Sequence, residues 1–362
     1  FKARLVVQGF GQRHGIDCGG TFAPVCRISS QRILLCIAAS KGLHVEHLDV
    51  KTAFLNAPVE EDVWVFQAPG FEEDHPVTGK QQVLKLLKSL YGWRQSPRTW
   101  NTTFARAIES IGFKPIFSDP CVYVCGSDKN YVVLSIYVDD VLLFEVDSNV
   151  VKNVRDQLMN KFSMTNTSDQ LAWCLGWSSS RETDISRSPT ETHMVAAKRV
   201  LRYLRGTPDL PTVYRKGPLE LVGFTDSDFA GDLESRRSCT GLLYMLGGGV
   251  ISSAAVLQKT IAQSTTEAEL IALYMALQEG VYLLNLLKEL GVDIDQFKLH
   301  SDAMRALSLS SQAMFSSRTK HIATKYHLLR ESVENGSLLV NHVPTKLQLS
   351  DMLTKNLPKP AF

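Results

Sequence analysis

The sequence predicts two domains, a mixed α+β domain followed by an α/β domain. The chain has 362 residues, more than one ordinary hydrophobic core accommodates. Short apolar runs alternate with amphipathic helical patterns in both halves. Between them, residues 166–190 are polar, serine-rich and without periodicity, which is typical of a connection. We therefore expect a first domain at 1–165, a connecting segment with a basic helix at 166–216, and a second domain at 217–362.

Composition limits the classes of protein that fit. The chain is 44% hydrophobic and 21% charged, which indicates globular material, and its formal charge of +2 restricts nucleic-acid affinity to local basic patches. Seven cysteines, an odd number, favour free thiols in a reducing compartment. We find no signal peptide and no apolar run of spanning length, so we expect an intracellular protein without a membrane partner. The missing start methionine suggests a piece of something longer.

The first domain shows strand and helix signals in alternation. KARLVVQGF predicts a strand, and SSQRILLCIAASKG predicts a helix with Ser29 or Ser30 as its N-cap. Ser96 and Pro97 are typical of the N-cap and first position of a second helix. The apolar stripe of that helix consists of Trp100, Phe104, Ile108 and Ile111.

Two adjacent aspartates interrupt an apolar stretch, SIYVDDVLLF. The flanking runs predict two buried strands joined in a hairpin at Asp139 and Asp140. Burying two carboxylates side by side is costly, so each needs water or a cation as its partner. From spacing alone, a pair of solvated turn residues and a metal site both remain open.

The second half carries a basic helix, a strand-rich segment and a long helix. In AAKRVLRYLRGT, four cations lie on one side, either as a solvated face or as a phosphate-contacting face: Lys198, Arg199, Arg202 and Arg205. GLLYMLGGGVISSAAVLQ predicts a hairpin over its glycines, and a long helix follows that Gly291 ends.

Acidic residues at predicted strand ends form two possible clusters. Asp49 ends a strand in the first domain and could meet the hairpin aspartates. In the second domain, Asp226 and Asp302 end strands, and Asp351 lies in the terminal helix. Such clusters repel themselves unless a cation is present, and a pair of divalent ions suits phosphoryl transfer. Spacing alone does not choose among Asp226, Asp228, Glu267 and Glu269.

The motifs, taken in order, resemble the reverse transcriptase and RNase H portion of a Ty1/copia-type retrotransposon polyprotein. They are KARLVVQGFGQRHGID, TFAPVCR, LDVKTAFLNAPVEEDVWVFQAPGF, SLYGWRQSPRTW, SIYVDDVLLF, AAKRVLRYLRGT, TDSDFAGD, QSTTEAELIAL, SRTKHI and DMLTKNLP. The resemblance implies a palm-and-fingers domain followed by an RNase H-like domain. Protease and integrase regions are expected upstream in such polyproteins.

The resemblance implies a role for particular residues of the first domain. Asp49 and Asp139 would ligate both polymerase metal ions, and Asp140 would complete or support the cluster. Phe54 matches the aromatic that excludes a ribose 2′-hydroxyl, although a core aromatic is the alternative. The remaining matches are Lys2 and Arg4 in a basic fingers strand that contacts incoming phosphates, and Gln95, Ser96 and Pro97 in a loop that borders template and nucleotide.

The resemblance also implies the nuclease residues and the ligands. The RNase H carboxylates would be Asp226, Glu267, Asp302 and Asp351. Each of the two sites would hold two Mg²⁺ ions, with Mn²⁺ as a possible substitute. The partners would be an RNA template, a DNA primer, the RNA–DNA hybrid and dNTPs.

This chain departs from the family pattern between LAWCLG and RSPTETHMVAAKRV. The family has about a hundred further residues there, which carry the end of the palm, the thumb and the start of the connection. A thumb grips the primer–template duplex through its phosphates. A decayed fragment that only binds nucleic acid, or retains RNase H activity alone, is therefore the alternative function.

Overall fold

The computed structural model describes residues 4–126, 131–145, 148–166, 191–207, 211–311, 323–355 and 357. Two separate larger sheets are built from strands that lie at 44–166 and 221–342. Most of the predicted connection, including 167–190 and 208–210, lies outside the described residues, as does Lys2.

The first sheet has six strands in an all-antiparallel arrangement. Its strands are β1 (His44–Val50), β4 (Lys114–Pro115), β5 (Val122–Cys125), β6 (Val132–Tyr137), β7 (Asp140–Glu145) and β8 (Met164–Asn166). Their order is β4-β5-β6-β7-β1-β8, and β2 (Trp64–Phe66) pairs separately with β3 (Val83–Lys85). The hairpin β6–β7 lies at the centre, and its residues are buried because the strands are apolar on both faces.

Three helices belong to this domain: α1 (Ile28–Lys41), α2 (Ser96–Glu109) and α3 (Ser148–Lys161). The apolar stripe of α2 is confirmed, because Trp100, Phe104 and Ile108 are all buried. Trp100 Nε1 donates a hydrogen bond of 2.6 Å to the carbonyl of Val138, which ties α2 to the β6–β7 turn.

Several local predictions for this domain were wrong. Residues 4–8 form no strand, because their only hydrogen bond to the neighbouring Tyr91 segment, among the residues described, runs from Val7 N to the Tyr91 carbonyl. A 3-10 helix follows at Gly9–Gly11. The N-cap of α1 is Arg27, and the Ser30 hydroxyl instead donates to buried Asp119. The N-cap of α2 is Gln95, whereas the sequence predicts Ser96.

Ser96 is therefore the first residue of α2, and Pro97 lies within its first turn. The Ser96 hydroxyl donates 2.6 Å to the carbonyl of Leu90, so it stabilises the preceding loop and not the helix terminus.

The second sheet has five strands with mixed direction. They are β9 (Leu221–Ser227), β10 (Cys239–Leu246), β11 (Gly249–Leu257), β12 (Phe297–Ser301) and β13 (Leu338–His342), in the order β11-β10-β9-β12-β13. The first three are antiparallel, whereas β12 runs parallel to both β9 and β13. The predicted glycine hairpin is confirmed: Gly247 and Gly248 connect β10 to β11 with φ of +55° and +81°, a conformation that glycine adopts at little cost.

The described part of the second half contains five α-helices, and the longest of them ends at the predicted glycine. The helices of the second half are α4 (Glu191–Gly206), α5 (Thr265–Glu289), α6 (Met304–Ser311), α7 (Ala323–Glu334) and α8 (Asp351–Thr354). Gly291, at φ +69°, follows the end of α5. A Cβ on Gly280 would lie 2.4 Å from the Phe297 ring, so glycine at this position lets α5 approach the sheet closely.

Helix α5 is also long and apolar enough to cross a membrane, contrary to the expectation that no such run is present. Of its most apolar 18-residue stretch, 61% is buried, mainly against β9 and β10, so packing on the sheet already accounts for its apolar character. Among the described residues it is the single helix with this property.

Helix α4 confirms the predicted helix and leaves its described side chains in solvent. Met194, Leu201 and Leu204 are each more than half exposed. The four predicted cations, Lys198, Arg199, Arg202 and Arg205, are exposed as well. Both its apolar and its basic side therefore face away from the described parts of the chain.

The two domains share one continuous buried cluster, because α1 packs against β11. The thiol of Cys36 lies 3.2 Å from the Leu246 carbonyl of the second domain, and burial raises its pKa to about 11. Polar contacts flank this apolar contact. The Glu289 carboxylate accepts hydrogen bonds from the backbone N–H groups of Phe117 and Ser118 at 2.6 and 3.2 Å.

Asp119 organises further polar contacts at this interface. Its buried carboxylate accepts from Arg27 N, Ser30 Oγ and Cys121 N at 2.7–3.0 Å. Since the Ser30 proton points at Asp119, the Tyr282 hydroxyl of α5 donates to Ser30 Oγ across 3.0 Å. Asp119 therefore orients a hydroxyl that joins the two domains.

We predict that Asp119→Ala lowers the free energy of unfolding by about 3 kcal/mol, because three buried donors lose their acceptor. Asp62→Ala, a change at a 77% exposed carboxylate paired with Lys85, is the control and should stay within about 0.5 kcal/mol. Urea unfolding followed by tryptophan fluorescence measures both, because all five tryptophans precede residue 178. Equal stability of the two variants would contradict the proposed role of Asp119.

Candidate active sites

Strand register brings the acids of the first domain together. β1 and β7 are antiparallel, and Asp49 lies directly opposite Asp140. Side chains that are directly opposite share one face of a sheet, so these two like charges are neighbours. Asp139 lies beside them in the turn, and its carbonyl accepts from Val50 N at 2.8 Å. The structure thus places all three predicted polymerase acids at one end of the strand pair.

The hairpin turn differs from the prediction. Its two turn residues are Val138 and Asp139, whereas Asp140 is the first residue of β7. Val138 has a φ of +57°, a left-handed conformation that costs a β-branched residue roughly 1–3 kcal/mol. The hydrogen bond from Trp100 to the Val138 carbonyl offsets part of this cost. As a result, Asp139 is held at the tip while Asp140 remains within the ladder.

Each aspartate of the hairpin has a different environment. Burial raises the pKa of the Asp139 carboxyl, the charges of Asp140 and Asp49 raise it further, and Arg4 opposes the shift. Asp140 has a partner that the sequence did not predict: His47 Nε2 lies 2.8 Å from Asp140 Oδ1 and is buried. His47 lies two residues before Asp49, so the alternation of the strand puts it on the same face.

Other predicted residues of this domain lie around the acids. The Phe54 ring lies 4.8 Å from the Tyr91 ring, and the Arg4 guanidinium lies 5.4 Å from the centre of Tyr91. Burial raises the pKa of the Tyr91 hydroxyl. The charges of Asp139 and Asp49 raise it further, and the charge of Arg4 lowers it. Tyr91 is thus a site residue that sequence reasoning missed, although it lies within the quoted SLYGWRQSPRTW motif.

The predicted template loop lies beside the N-terminal segment. Gln95 is buried, its amide donates to Glu61 at 3.3 Å, and its carbonyl accepts from Gln12 at 3.0 Å. Ser96 is also buried, whereas Pro97 is exposed at the start of α2. Of the three, Pro97 presents its surface to solvent.

In the second domain, three carboxylates meet within one small space. One oxygen each from Asp226, Glu269 and Asp302 lies within 4.8 Å of the other two, the single such group of metal-ligating side chains among the described residues. Asp226 is the sixth residue of β9, Asp302 follows the end of β12, and Glu269 lies in the first turns of α5. Because β9 and β12 are parallel neighbours, their carboxyl ends meet at this edge.

The cluster contains Glu269, whereas the family pattern was matched to Glu267, and this prediction is therefore corrected. Glu267 caps the start of α5 in the manner of a capping box, with Gln263, the residue before the N-cap Ser264, as the second backbone donor. Its backbone N–H donates to Ser264 Oγ at 3.2 Å, and its carboxylate accepts from Gln263 N at 2.9 Å. Two residues later, at about 200° around the helix, Glu269 faces the sheet. The Ser-x-x-Glu spacing of Ser264 and Glu267 was the signal that assigns Glu267 to the cap.

The C-terminal segment adds a fourth acid and a lysine. Asp351 is buried at the start of α8, and desolvation together with the charge of Asp226 raises its pKa. Lys355 Nζ lies 2.8 Å from Asp351 Oδ1 and 3.3 Å from Asp226. A Cβ on Gly241 would lie 2.9 Å from the Ser350 carbonyl, so a glycine on β10 leaves room for this segment.

Two threonines also contact the cluster. The Thr354 hydroxyl donates to Asp226, and the Thr345 hydroxyl donates to Asp302 at 2.7 Å. Neither threonine nor Lys355 was predicted, because none of them carries a distinctive spacing relative to the acids.

The donor set fits a hard divalent cation. Carboxylate oxygens are the ligands that Mg²⁺ and Mn²⁺ prefer. Glu269 Oε2 is buried without a hydrogen-bond partner in the described structure, and burial, followed by the charge of Asp226, raises the Glu269 pKa to about 8. A cation among these oxygens would stabilise the charged form and supply the missing partner.

We predict that the metal-free protein loses stability as pH rises. The Glu269 pKa is raised above its ordinary value, so its contribution is fully present below about pH 4.5 and is lost as pH rises through about 8. Between pH 5 and pH 8 this amounts to about 3 kcal/mol, which Glu269→Gln removes. Unfolding is followed by circular dichroism in EDTA, because no tryptophan lies in residues 217–362. A pH dependence that is the same in Glu269→Gln would contradict this assignment.

Known proteins resemble this chain over both of its halves. The family model described as reverse transcriptase (RNA-dependent DNA polymerase) matches residues 1–197. The Pol polyprotein of transposon TNT 1-94 from Nicotiana tabacum is 34% identical, and that of transposon RE1 from Arabidopsis thaliana is 32% identical, each over the whole of this chain. The Gag-Pol polyprotein of transposon Ty1-BL from Saccharomyces cerevisiae is 21% identical over the same extent. The chain spans 33%, 30% and 26% of these three relatives.

The alignment with the TNT 1-94 polyprotein is 447 residues long, and this chain contributes at most 362 of them. At least 85 positions of the relative therefore have no counterpart here, a number close to the predicted deficit of about a hundred residues.

Among solved structures, RNase H1 of the archaeon Halobacterium salinarum NRC-1 aligns with 37% of this chain and 93% of its own, at 18% identity and a TM-score of 0.29. The family model covers more than half of the 362 residues, and on that basis the chain belongs to the reverse transcriptase (RNA-dependent DNA polymerase) family.

Proposed function

We propose that this chain is the RNA-directed DNA polymerase and RNase H portion of a Ty1/copia-type retrotransposon. The observation that carries the proposal is the repeated placement of acids at neighbouring strand ends, once on each sheet. Asp49 opposes Asp140 on the first sheet. On the second sheet, Asp226, Glu269 and Asp302 meet. Two independent carboxylate groups in one chain suit an enzyme that joins phosphodiesters at one site and cleaves them at another.

In the polymerase site, we assign Asp49 and Asp139 as the ligands of two Mg²⁺ ions. When bound, the ions would lower the pKa of the primer 3′-hydroxyl and neutralise the triphosphate. Asp140 supports the cluster while His47 fixes its carboxylate, since a hydrogen bond to one oxygen leaves the other free to face the ions.

Neighbouring groups orient the nucleotide. Arg4, which lies beside Tyr91 and acts on Asp139, suits contact with the incoming phosphates, together with Lys2 from the adjacent segment. Phe54 is half-buried against Tyr91, so its ring has a fixed position from which to exclude a ribose 2′-hydroxyl. Gln95, Ser96 and Pro97 would border the template, with Pro97 as the exposed member.

In the nuclease site, we assign the ligands as Asp226, Glu269, Asp302 and Asp351. Asp226 belongs to the three-carboxylate group and shares Lys355 with Asp351, so the four acids together would hold the Mg²⁺ ions, which would activate the attacking water. Thr345 and Thr354 orient Asp302 and Asp226, which fixes the oxygens that face the RNA strand. The substrate would be the RNA of an RNA–DNA hybrid.

The exposed basic side of α4 would contact the phosphates of template, primer or hybrid. Lys198, Arg202 and Arg205 lie four and three residues apart, so they form one row along the helix. Such contacts carry no sequence preference, which suits a polymerase that copies a long template.

A second candidate function is RNase H activity without DNA synthesis. Two observations favour it: at least 85 residues of the TNT 1-94 relative have no counterpart here, and the acids that meet within 4.8 Å in the described structure are those of the second sheet. A polymerase without a thumb has less surface with which to hold its primer, whereas the nuclease needs only the second sheet and its helices.

The polymerase assignment predicts primer extension on poly(rA) with an oligo(dT) primer and Mg²⁺. Asp139→Asn should lower the rate by about 100-fold or more, because a metal ligand is removed. Asp156→Asn, a change at a 56% exposed acid on α3, should leave the rate unchanged. The same background signal from all three proteins would reject DNA synthesis by this chain.

The nuclease assignment predicts Mg²⁺-dependent cleavage of the RNA strand in a hybrid. Asp226→Asn and Glu269→Gln should each reduce cleavage by about 100-fold. Glu267→Gln is the matched control, because glutamine also completes a capping box, and it should stay within about threefold of the parent. Loss of cleavage in Glu267→Gln with retention in Glu269→Gln would reverse our assignment.

A further inference from the structure

We propose that the ammonium group of Lys355 occupies the second cation position of the nuclease site, so that a second divalent ion enters only by displacing it. The inference rests on the proposed RNase H function and adds a control on metal occupancy to it. Lys355 lies at the C-terminal end of α8, and its side chain is 41% exposed.

The position of Lys355 follows from three contacts. Its Nζ lies 2.8 Å from Asp351 Oδ1 and 3.3 Å from both oxygens of Asp226. Its charge also acts on Glu269, where it lowers the pKa against the effect of burial. The ammonium group therefore pairs with Asp351 and Asp226, and in the described structure it forms no ion pair with Glu269 or Asp302.

This arrangement divides the site into two unequal cation positions. Asp226, Glu269 and Asp302 supply one oxygen each to the first position, and of these three acids Lys355 forms an ion pair in the described structure with Asp226 alone. The second position has Asp226 and Asp351 as its carboxylates, and both already bind Lys355. Magnesium–oxygen distances are about 2.1 Å, so an ion bridging Asp226 and Asp351 would overlap the ammonium group at 2.8–3.3 Å.

The lysine is suited to such exchange. Four carboxylates lie here, and one ammonium charge lowers their mutual repulsion while no divalent ion is bound. Its side chain is long and flexible, and its partial exposure gives it a short path to water. The first ion would then bind to a preformed site, while binding of the second would carry the cost of breaking an ion pair.

Binding of Mn²⁺ to the full chain tests the inference without measuring cleavage. The parent is the metal-free Asp49→Asn/Asp139→Asn protein, in which the polymerase acids no longer compete for ions. Free Mn²⁺ is followed by electron paramagnetic resonance. We expect the parent to bind one ion and then a second more weakly, and Lys355→Met to tighten the weaker step about tenfold, the effect of one partly exposed ion pair.

Two further variants distinguish charge from structure. Lys355→Arg keeps the cation and should retain two separate binding steps. Lys298→Met removes a surface lysine that pairs with Glu220 at the other end of β12, and it should titrate like the parent. In EDTA, Lys355→Met should melt below the parent, and saturating Mn²⁺ should abolish the difference, which also reports that the variant folds.

The outcomes separate the inference from the nuclease proposal. If Lys355→Met titrates like the parent while Glu269→Gln loses an ion, the inference about Lys355 is wrong and the metal site stands. If Glu269→Gln also titrates like the parent, these acids do not bind metal, and both proposals are wrong.

Discussion

Repulsion between carboxylates is the constraint on which the rest of this structure depends. In each domain, hydrogen-bonded ladders hold two acids at neighbouring strand ends, Asp49 opposite Asp140 and Asp226 near Asp302, so these pairs cannot move apart without breaking the sheet. Burial, followed by this repulsion, raises the pKa values of Asp139, Glu269 and Asp351. Nearby cations or donors compensate in part: His47 at Asp140 and Lys355 at Asp226.

The two sites answer that constraint in different ways. In the first domain, Asp139 lies in a strained turn at the tip of a hairpin, and the hydrogen bond from Trp100 to the Val138 carbonyl stabilises that turn. In the second, the acids come from two neighbouring strands, a helix and the C-terminal segment, so their distances depend on how closely the helices pack on the sheet. Gly280 and Gly241 set that packing, because a side chain at either position would push α5 or the segment before α8 away from the sheet.

The direct contact between domains gives the molecule a further property. An apolar contact, α1 against β11, is bordered by the charged and polar groups of Glu289, Asp119 and Tyr282. The Arg27 guanidinium also lies 4.2 Å from the centre of the Tyr282 ring, on the same border. Hydrogen bonds need a specific geometry, so these polar contacts restrict the orientation of the two sheets more strictly than the apolar contact alone.

Pattern reasoning performed well where the signal was local and repeated. The apolar stripe of α2, the glycine hairpin and the glycine end of α5 were all predicted from spacing, because burial on one side of a helix and a positive φ leave direct traces in the sequence. It failed at the ends of elements. Ser30 and Ser96 have side chains that commonly act as N-caps. Their hydroxyl groups instead donate hydrogen bonds to Asp119 and to the Leu90 carbonyl, which lie outside the two helices.

By itself, the sequence determined the family, the order of the acidic motifs and the presence of an aspartate pair between two buried strands. Only the tertiary structure decided which glutamate joins the second cluster, that His47 holds Asp140, and that Lys355 lies among the nuclease acids. The physical reason is that strand and helix periodicity set the direction of a side chain relative to its own element. The distance to a charge on another element depends instead on register and packing between segments far apart in sequence.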